Sequence, residues 1–175
     1  MIAVIYGSST LNTEYSAQRI QAAFGAEKAD IHNVKHLEVD LLRQRDNLVF
    51  VSSTWGTGDL QDDWEVFFPH LDTVDFRDKT VGLVGLGDQE NYPDTFCDGI
   101  SLLYDKVLEL GGRIVGETST EGYSFTRSNA VRNGKFVGLI LDEDSQADRS
   151  AERIDTWVRR YLKETVSYAA LRHPK

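Results

Sequence analysis

The chain has 175 residues, 41% apolar and 27% charged, with a formal net charge of −9. That is enough for one domain with its own core and too short to favour two, and the acidic balance excludes a nucleic-acid footprint, which needs clustered Lys and Arg. A single cysteine, Cys97, excludes an intrachain disulfide or a cysteine-held metal centre, the four histidines lack ligand spacing, and no apolar run reaches the ~20 residues of a membrane helix.

The first element is a continuous apolar run, Ile2-Ala3-Val4-Ile5-Tyr6, the pattern of a strand buried on both faces. No basic stretch precedes it, so a secretory signal is not expected and a cytoplasmic location is. Asn12 or Thr13 can cap the next helix, which has Ala17, Ile20 and Phe24 on one face. Residues 29–34 form a weaker strand and 37–42 a short segment. Leu48-Val49-Phe50-Val51 is a second strong strand, ending in Ser52-Ser53-Thr54, and Trp64, Phe67, Phe68 and Leu71 then give a helical stripe.

Val81-Gly82-Leu83-Val84 is a third strong strand. The spacing of Phe96, Ile100, Leu103, Val107 and Leu110 predicts a long helix stopped by Gly111-Gly112, with Cys97 as a packed residue of that helix. Ile114-Val115 begins a strand, a polar stretch over 118–135 interrupts it, and residues 136–141 resume it. A last helix carries Ile154, Trp157, Val158, Tyr161 and Leu162. The domain is expected over residues 1–165, with a tail over 166–175 that has no apolar stripe and is expected to fray. Strands alternating with helices predict an α/β three-layer sandwich: a five-stranded parallel sheet in the order 2-1-3-4-5, helices on both faces, and an insert splitting the last strand. In such sheets ligands bind beyond the carboxyl ends of strands 1 and 3, where the order reverses.

Three loops meet at that edge. Gly7-Ser8-Ser9-Thr10-Leu11-Asn12-Thr13 offers the hydroxyls of Ser8, Ser9, Thr10 and Thr13 beside a helix start, whose free N–H groups and dipole attract an anion. It has neither the lysine of a Walker A loop nor the later glycines of a dinucleotide fingerprint, so a monophosphate fits better than a triphosphate. The plainer alternative is an ordinary Ser/Thr-rich cap. Trp55, within Thr54-Trp55-Gly56-Thr57-Gly58-Asp59, and Tyr92, within Gly87-Asp88-Gln89-Glu90-Asn91-Tyr92, are aromatics in polar loops. They are either plates for a flat ring or residues packed under a neighbouring loop. No Lys or Arg occurs between Arg45 and Arg77, or between Lys79 and Lys106. Those gaps hold Asp59, Asp62, Asp63 and Glu65, then Asp88, Glu90, Asp94 and Asp98, which read either as a solvated face or as a functional acidic rim.

Over residues 1–165 the chain resembles the long-chain flavodoxins. The resemblance rests on Gly7-Ser8-Ser9-Thr10, the run from Thr54 to Glu65, Gly85-Leu86-Gly87-Asp88-Gln89, Thr120-Glu121-Gly122-Tyr123, Gly134-Lys135-Phe136-Val137-Gly138-Leu139 and Leu141-Asp142-Glu143-Asp144. It implies FMN as cofactor and an electron as substrate: a carrier, not an enzyme, cycling mainly between semiquinone and hydroquinone. It also implies that Ser8, Ser9, Thr10, Asn12 and Thr13 hold the phosphate and that Thr54 reaches toward ribityl or phosphate oxygens. Trp55 and Tyr92 would sandwich the ring, Gly56, Thr57 and Gly58 line its N5 edge, Gly87 and Asp88 meet the pyrimidine edge, and Asp144 contacts the ribityl chain. A carbonyl in the loop after Trp55, here that of the Gly56–Thr57 peptide, would rotate to accept the N5 hydrogen, with Gly56 making the flip inexpensive. The partners implied are a basic-faced flavoprotein reductase or oxidoreductase as donor and acceptor redox enzymes, serving a monomer.

Three departures bear on the site, one being Ser52-Ser53, which stands where many relatives have a proline. Leu11 stands where the family usually has glycine, and Asn91, directly before the stacking tyrosine, replaces a glycine common there. Two other readings compete. An FMN-dependent quinone reductase would need an open ring face, which two plates would block. A receiver-like signalling module would need acids where Gly7-Ser8 and Ser52-Ser53-Thr54 stand.

Overall fold

The computed structural model describes residues 1–172. Its parallel sheet begins with β1 (Ile2–Tyr6), β2 (Ala29–Asn33) and β3 (Asn47–Trp55). β4 (Asp59–Leu60) turns back on the end of β3, and β5 (Thr80–Leu86) follows. The order β2-β1-β3-β5 is the expected 2-1-3-4. The fifth position is filled twice along the far edge of β5: β6 (Arg113–Val115) pairs with Thr80 to Gly82, and β10 (Leu139–Leu141) pairs with Val84 to Leu86. The last strand is therefore split, and the segment between its halves folds on its own as β7 (Thr118–Ser119), β8 (Val131–Arg132) and β9 (Lys135–Phe136), paired antiparallel.

β3 explains the two-sided core. Leu48 and Phe50 point to one face, with Trp64, Phe76, Ile100 and Phe136, while Val49 and Val51 point to the other, with Ile20, Phe24, Trp157 and Tyr161. The run from Leu48 to Val51 is apolar at every position and must be covered on both faces, which is why it shows no alternation. The helices supplying the covers are α1 (Leu11–Phe24), α2 (Val39–Gln44), α3 (Asp62–Phe67), α4 (Gly99–Glu109) and α5 (Ser150–Arg172). Gln61 caps α3, its Oε1 accepting the N–H groups of Asp63 and Trp64 at 3.1 and 3.2 Å.

Several element ends depart from the periodicity. α1 begins at Leu11, so Asn12 and Thr13 lie inside it and the N-cap is Thr10. α4 begins only at Gly99; Phe96 and Cys97 precede it, and Cys97 is not a helix residue. The stripe through Phe96 fits because the loop buries that ring against Tyr123, Phe125 and Phe136 of the insert, with centroids 5.4–6.2 Å apart. Phe136 belongs to the small sheet, and the main sheet resumes at Leu139. α5 continues through Arg172, past the expected domain end at residue 165, while positions 173–175 of the expected tail lie outside the described residues. The extra turns are tied by Arg172, which donates to the Asp78 carbonyl at 3.0 Å and pairs with its carboxylate, and by Arg113 over the Tyr168 ring. Because that pair is solvent-exposed, Arg172→Ala should lower stability by less than about 1 kcal/mol in urea unfolding.

Candidate functional site

The carboxyl ends of β1, β3 and β5 open into a cleft of about 400 Å³. Its first wall is the start of α1. Gly7 lets β1 pass so close to α3 that a Cβ there would sit 2.1 Å from Gln61 Oε1 and 2.6 Å from Trp64 Cδ1. Beyond it Thr10 adopts an extended conformation (φ −133°, ψ 159°) with no side-chain cap, leaving the first N–H groups of α1 without side-chain partners. Thr10, Asn12 and Thr13 line the cleft there. Ser8 and Ser9 do not: the Ser8 hydroxyl donates to the Thr10 carbonyl, and Ser9 Oγ accepts from Gln61 Nε2 at 3.0 Å. Their hydroxyls shape the loop. Leu11, the residue in the family's glycine position, is the first helical residue and 81% exposed, and it does not take a positive φ.

The second wall is the end of β3. Ser53, Thr54, Trp55 and Gly56 line it. Trp55 is exposed, and its Nε1 donates to Ser53 Oγ at 2.8 Å, which fixes the indole orientation. Thr54 Oγ1 accepts the Gly99 N–H at 2.9 Å, tying this strand end to α4. The chain then reverses over Trp55 to Gly58, closed by Gly58 N–H to the Trp55 carbonyl at 3.2 Å. Gly56 has φ +54° and Thr57 does not have a positive φ, the signature of a type II′ turn, so glycine is required at the first central position. Thr57 and Gly58 belong to this turn but do not line the cleft.

The third wall follows β5. Leu86, Gly87, Asp88 and Tyr92 line it, with Thr95, Phe96 and Cys97 continuing below. Tyr92 is 62% exposed. Asp88 closes its own loop: Oδ1 accepts the N–H groups of Glu90 and Asn91 at 3.1 Å each, and Oδ2 accepts from Asn91 Nδ2 at 2.6 Å. Burial raises its pKa, but these bonds outweigh burial and hold the carboxyl below its usual range. Asp88 is thus a loop-former whose side chain is already committed. Asn91 reaches this arrangement without a positive φ.

Glu143 and Asp144 close the remaining side. Burial first, then the charges of Asp88, Asp142 and Glu143, push the Asp144 carboxyl up. Arg19 partly balances the group, with Nη1 3.5 Å from Glu143 Oε1. No Lys or Arg lines the cleft among the described residues. Any negative charge added inside therefore meets carboxylates without a facing cation.

Ten of the fourteen expected residues thus meet in one cleft: Thr10, Asn12, Thr13, Thr54, Trp55, Gly56, Gly87, Asp88, Tyr92 and Asp144. Sequence reasoning missed Ser53, Leu86, Thr95, Phe96, Cys97 and Glu143. Cys97 has φ +55° and is buried, and burial followed by the charges of Asp142 and Asp98 pushes its thiol well up. Pro93 disfavours helix only at Tyr92 and suits the first turn of a helix after it, so it gave no signal that 94–98 is loop. The open cleft with two exposed aromatics fits a planar ring, and the α1 start with free N–H groups fits a phosphate held without a cation. FMN combines the two.

Comparison with known proteins agrees. The sequence profile of the flavodoxin family, described as "Flavodoxin", matches residues 4–157. A flavodoxin of Picosynechococcus sp. is 45% identical over 158 residues, covering 90% of this chain and 93% of its own length. One from Haemophilus influenzae is 41% identical over 165 residues, covering 94% and 95%. The crystal structure of Fusobacterium nucleatum flavodoxin bound to flavin mononucleotide superposes with a TM-score of 0.89 at 36% identity, covering 93% of this chain and 97% of that one.

Proposed function

The chain belongs to the flavodoxin family, and we propose that it is a long-chain member working as a low-potential one-electron carrier between a reductase and acceptor redox enzymes. Its cofactor is FMN, and it is an electron-transfer protein, not an enzyme. Bound FMN supplies two separable one-electron steps, and we assign the working couple to the lower, between the one-electron-reduced and fully reduced states. The observation that carries this reading is the meeting of Trp55, Tyr92 and the uncapped start of α1 in one cleft rimmed by carboxylates. Thr10, Asn12 and Thr13 hold the phosphate, with Ser8 and Ser9 shaping their loop. Trp55 and Tyr92 cover the ring, Gly56, Thr57 and Gly58 form the turn at its N5 edge, and Gly87 offers backbone to the pyrimidine edge. The long-chain assignment is supported by the insert between β6 and β10.

Low potential follows from charge. Burial first, and then the charges of Asp88, Asp142 and Glu143, raise the cost of ionising Asp144, so a further negative charge nearby is disfavoured. The reading carries with it a cytoplasmic monomer; among the described residues no helix is long and apolar enough to cross a membrane. Redox titration of the purified holoprotein, followed by its visible spectrum, tests it. Two separated one-electron steps are expected, and a single two-electron step, or a colourless protein, would count against it.

The acidic rim sets the partner. Asp59 and Asp62 are exposed and Asp63 half-buried beside the Trp55 turn, where they steer a basic-faced partner. Changing all three to asparagine should slow reduction by a basic-faced flavoprotein reductase about tenfold at low salt, with the difference vanishing as screening shortens its range. Stopped-flow rates against ionic strength decide it.

A further inference from the structure

Tyr92 has an exposed ring and, among the described residues, no aromatic neighbour of its own. Its position is therefore set by the backbone of its loop. Most bonds of that loop are local: Asp88 binds Glu90 and Asn91, and Tyr92 N–H donates to the Asp88 carbonyl at 2.9 Å. A loop closed on itself still needs anchoring to the body of the protein. Gln89, only 5% exposed, supplies three such anchors. Its side-chain Oε1 accepts the Ser124 N–H at 2.6 Å, its Nε2 donates to Ser145 Oγ at 3.2 Å, and its backbone N–H donates to Asp142 Oδ2 at 3.1 Å. Ser124 lies in the insert, and Asp142 and Ser145 lie in the turn after β10 that also carries Asp144. One further anchor is the Pro93 carbonyl, which accepts the N–H groups of Thr126 and Arg127 in the same insert at 2.9 Å each.

We infer that Gln89 is a positioning residue for the flavin: its buried amide clamps the Tyr92 loop to the insert and to the 142–145 turn, and so fixes the ring wall of the cleft. This rests on the FMN reading above and gives the insert a task within it. β5 ends at Leu86; what holds the tyrosine beyond it is the segment that interrupts the last strand together with the turn that follows that strand. A buried amide with both ends bonded is a rigid link, because either end left unpaired is costly.

The test is a double-mutant cycle on the full-length holoprotein, with FMN dissociation read from the return of flavin fluorescence on dilution. Gln89→Met keeps the volume and removes both amide groups; Gln89→Ala is its smaller companion. Either should raise the dissociation constant about tenfold in the wild-type background, the Pro93 anchor preserving the remainder. In the Tyr92→Ala background the same change should have less than a twofold effect, since the ring it positions is gone. An equal factor in both backgrounds would mean that Gln89 serves only the fold and would overturn the inference, as would an unchanged constant in the wild-type background. A wild-type protein that carries no FMN would instead overturn the parent reading, and is seen before any variant is made.

Discussion

Alanine in place of Trp55 or Tyr92 should weaken FMN binding by roughly 30- to 100-fold each. Stacking adds on the order of 0.5–1.5 kcal/mol beyond burial, and covering ~60 Å² of ring face at ~25 cal/mol per Å² adds about 1.5 kcal/mol more. The sum of about 2–3 kcal/mol converts to that range at 1.4 kcal/mol per decade. Both side chains are exposed in the cleft, so neither substitution leaves a hole in the core, and thermal stability of the chain should barely change. The pair also tests geometry. If the rings cover opposite faces of the flavin, the double variant loses the sum of the two effects; if they share a face, the second loss is smaller. Losses below threefold for both single variants, measured by fluorescence on dilution, would remove the aromatic walls from the account of binding.

The sheet order was legible because its evidence is redundant. β1, the 48–51 run of β3 and most of β5 are apolar, and the largely polar stretch over 118–135 marks the split strand. The three loops were legible for a topological reason: parallel strands deliver the turns after β1, β3 and β5 to the same edge. What escaped was whatever depends on tertiary contact. The apolar spacing at Phe96 satisfies a helix and a buried loop equally, and only its packing on Phe125 and Phe136 decides between them. Cys97 lines the cleft through a left-handed backbone that its sequence does not advertise. Ser8 and Ser9 offer hydroxyls to a phosphate and also hold their loop: Ser8 donates to the Thr10 carbonyl, while Ser9 Oγ accepts from Gln61, 52 residues away, which leaves its own proton to donate. Residue type gave the capacity to bind; neighbours decided how it was used.

The turn after Trp55 carries the second large effect, which centres on Thr57 rather than Gly56. If the Gly56–Thr57 carbonyl turns to accept the N5 hydrogen once one electron has been added, the central peptide of the turn rotates by about half a revolution. That rotation changes ψ of Gly56 and φ of Thr57, converting type II′ into type I′. Gly56 has positive φ in both forms, so it serves the hairpin throughout. Thr57 is the residue driven from negative to positive φ, which costs a non-glycine residue roughly 1–2 kcal/mol. Thr57→Gly should therefore favour the rotated peptide and raise the first one-electron potential by roughly 40–80 mV, at about 59 mV per 1.4 kcal/mol. The second potential should change far less, because the fully reduced ring would keep its N5 hydrogen and with it the rotated peptide, so the relief at position 57 is common to both reduced states. Gly56→Val strains both turn forms and also brings a Cβ 2.7 Å from Asp59 Oδ2. It should weaken FMN binding and disturb the hairpin while separating the two potentials far less than its effect on affinity suggests. Potentiometric titration of the two holoproteins distinguishes the roles. An unchanged first potential in Thr57→Gly would mean that this peptide does not reorient, and that the hydrogen at N5 finds its acceptor elsewhere.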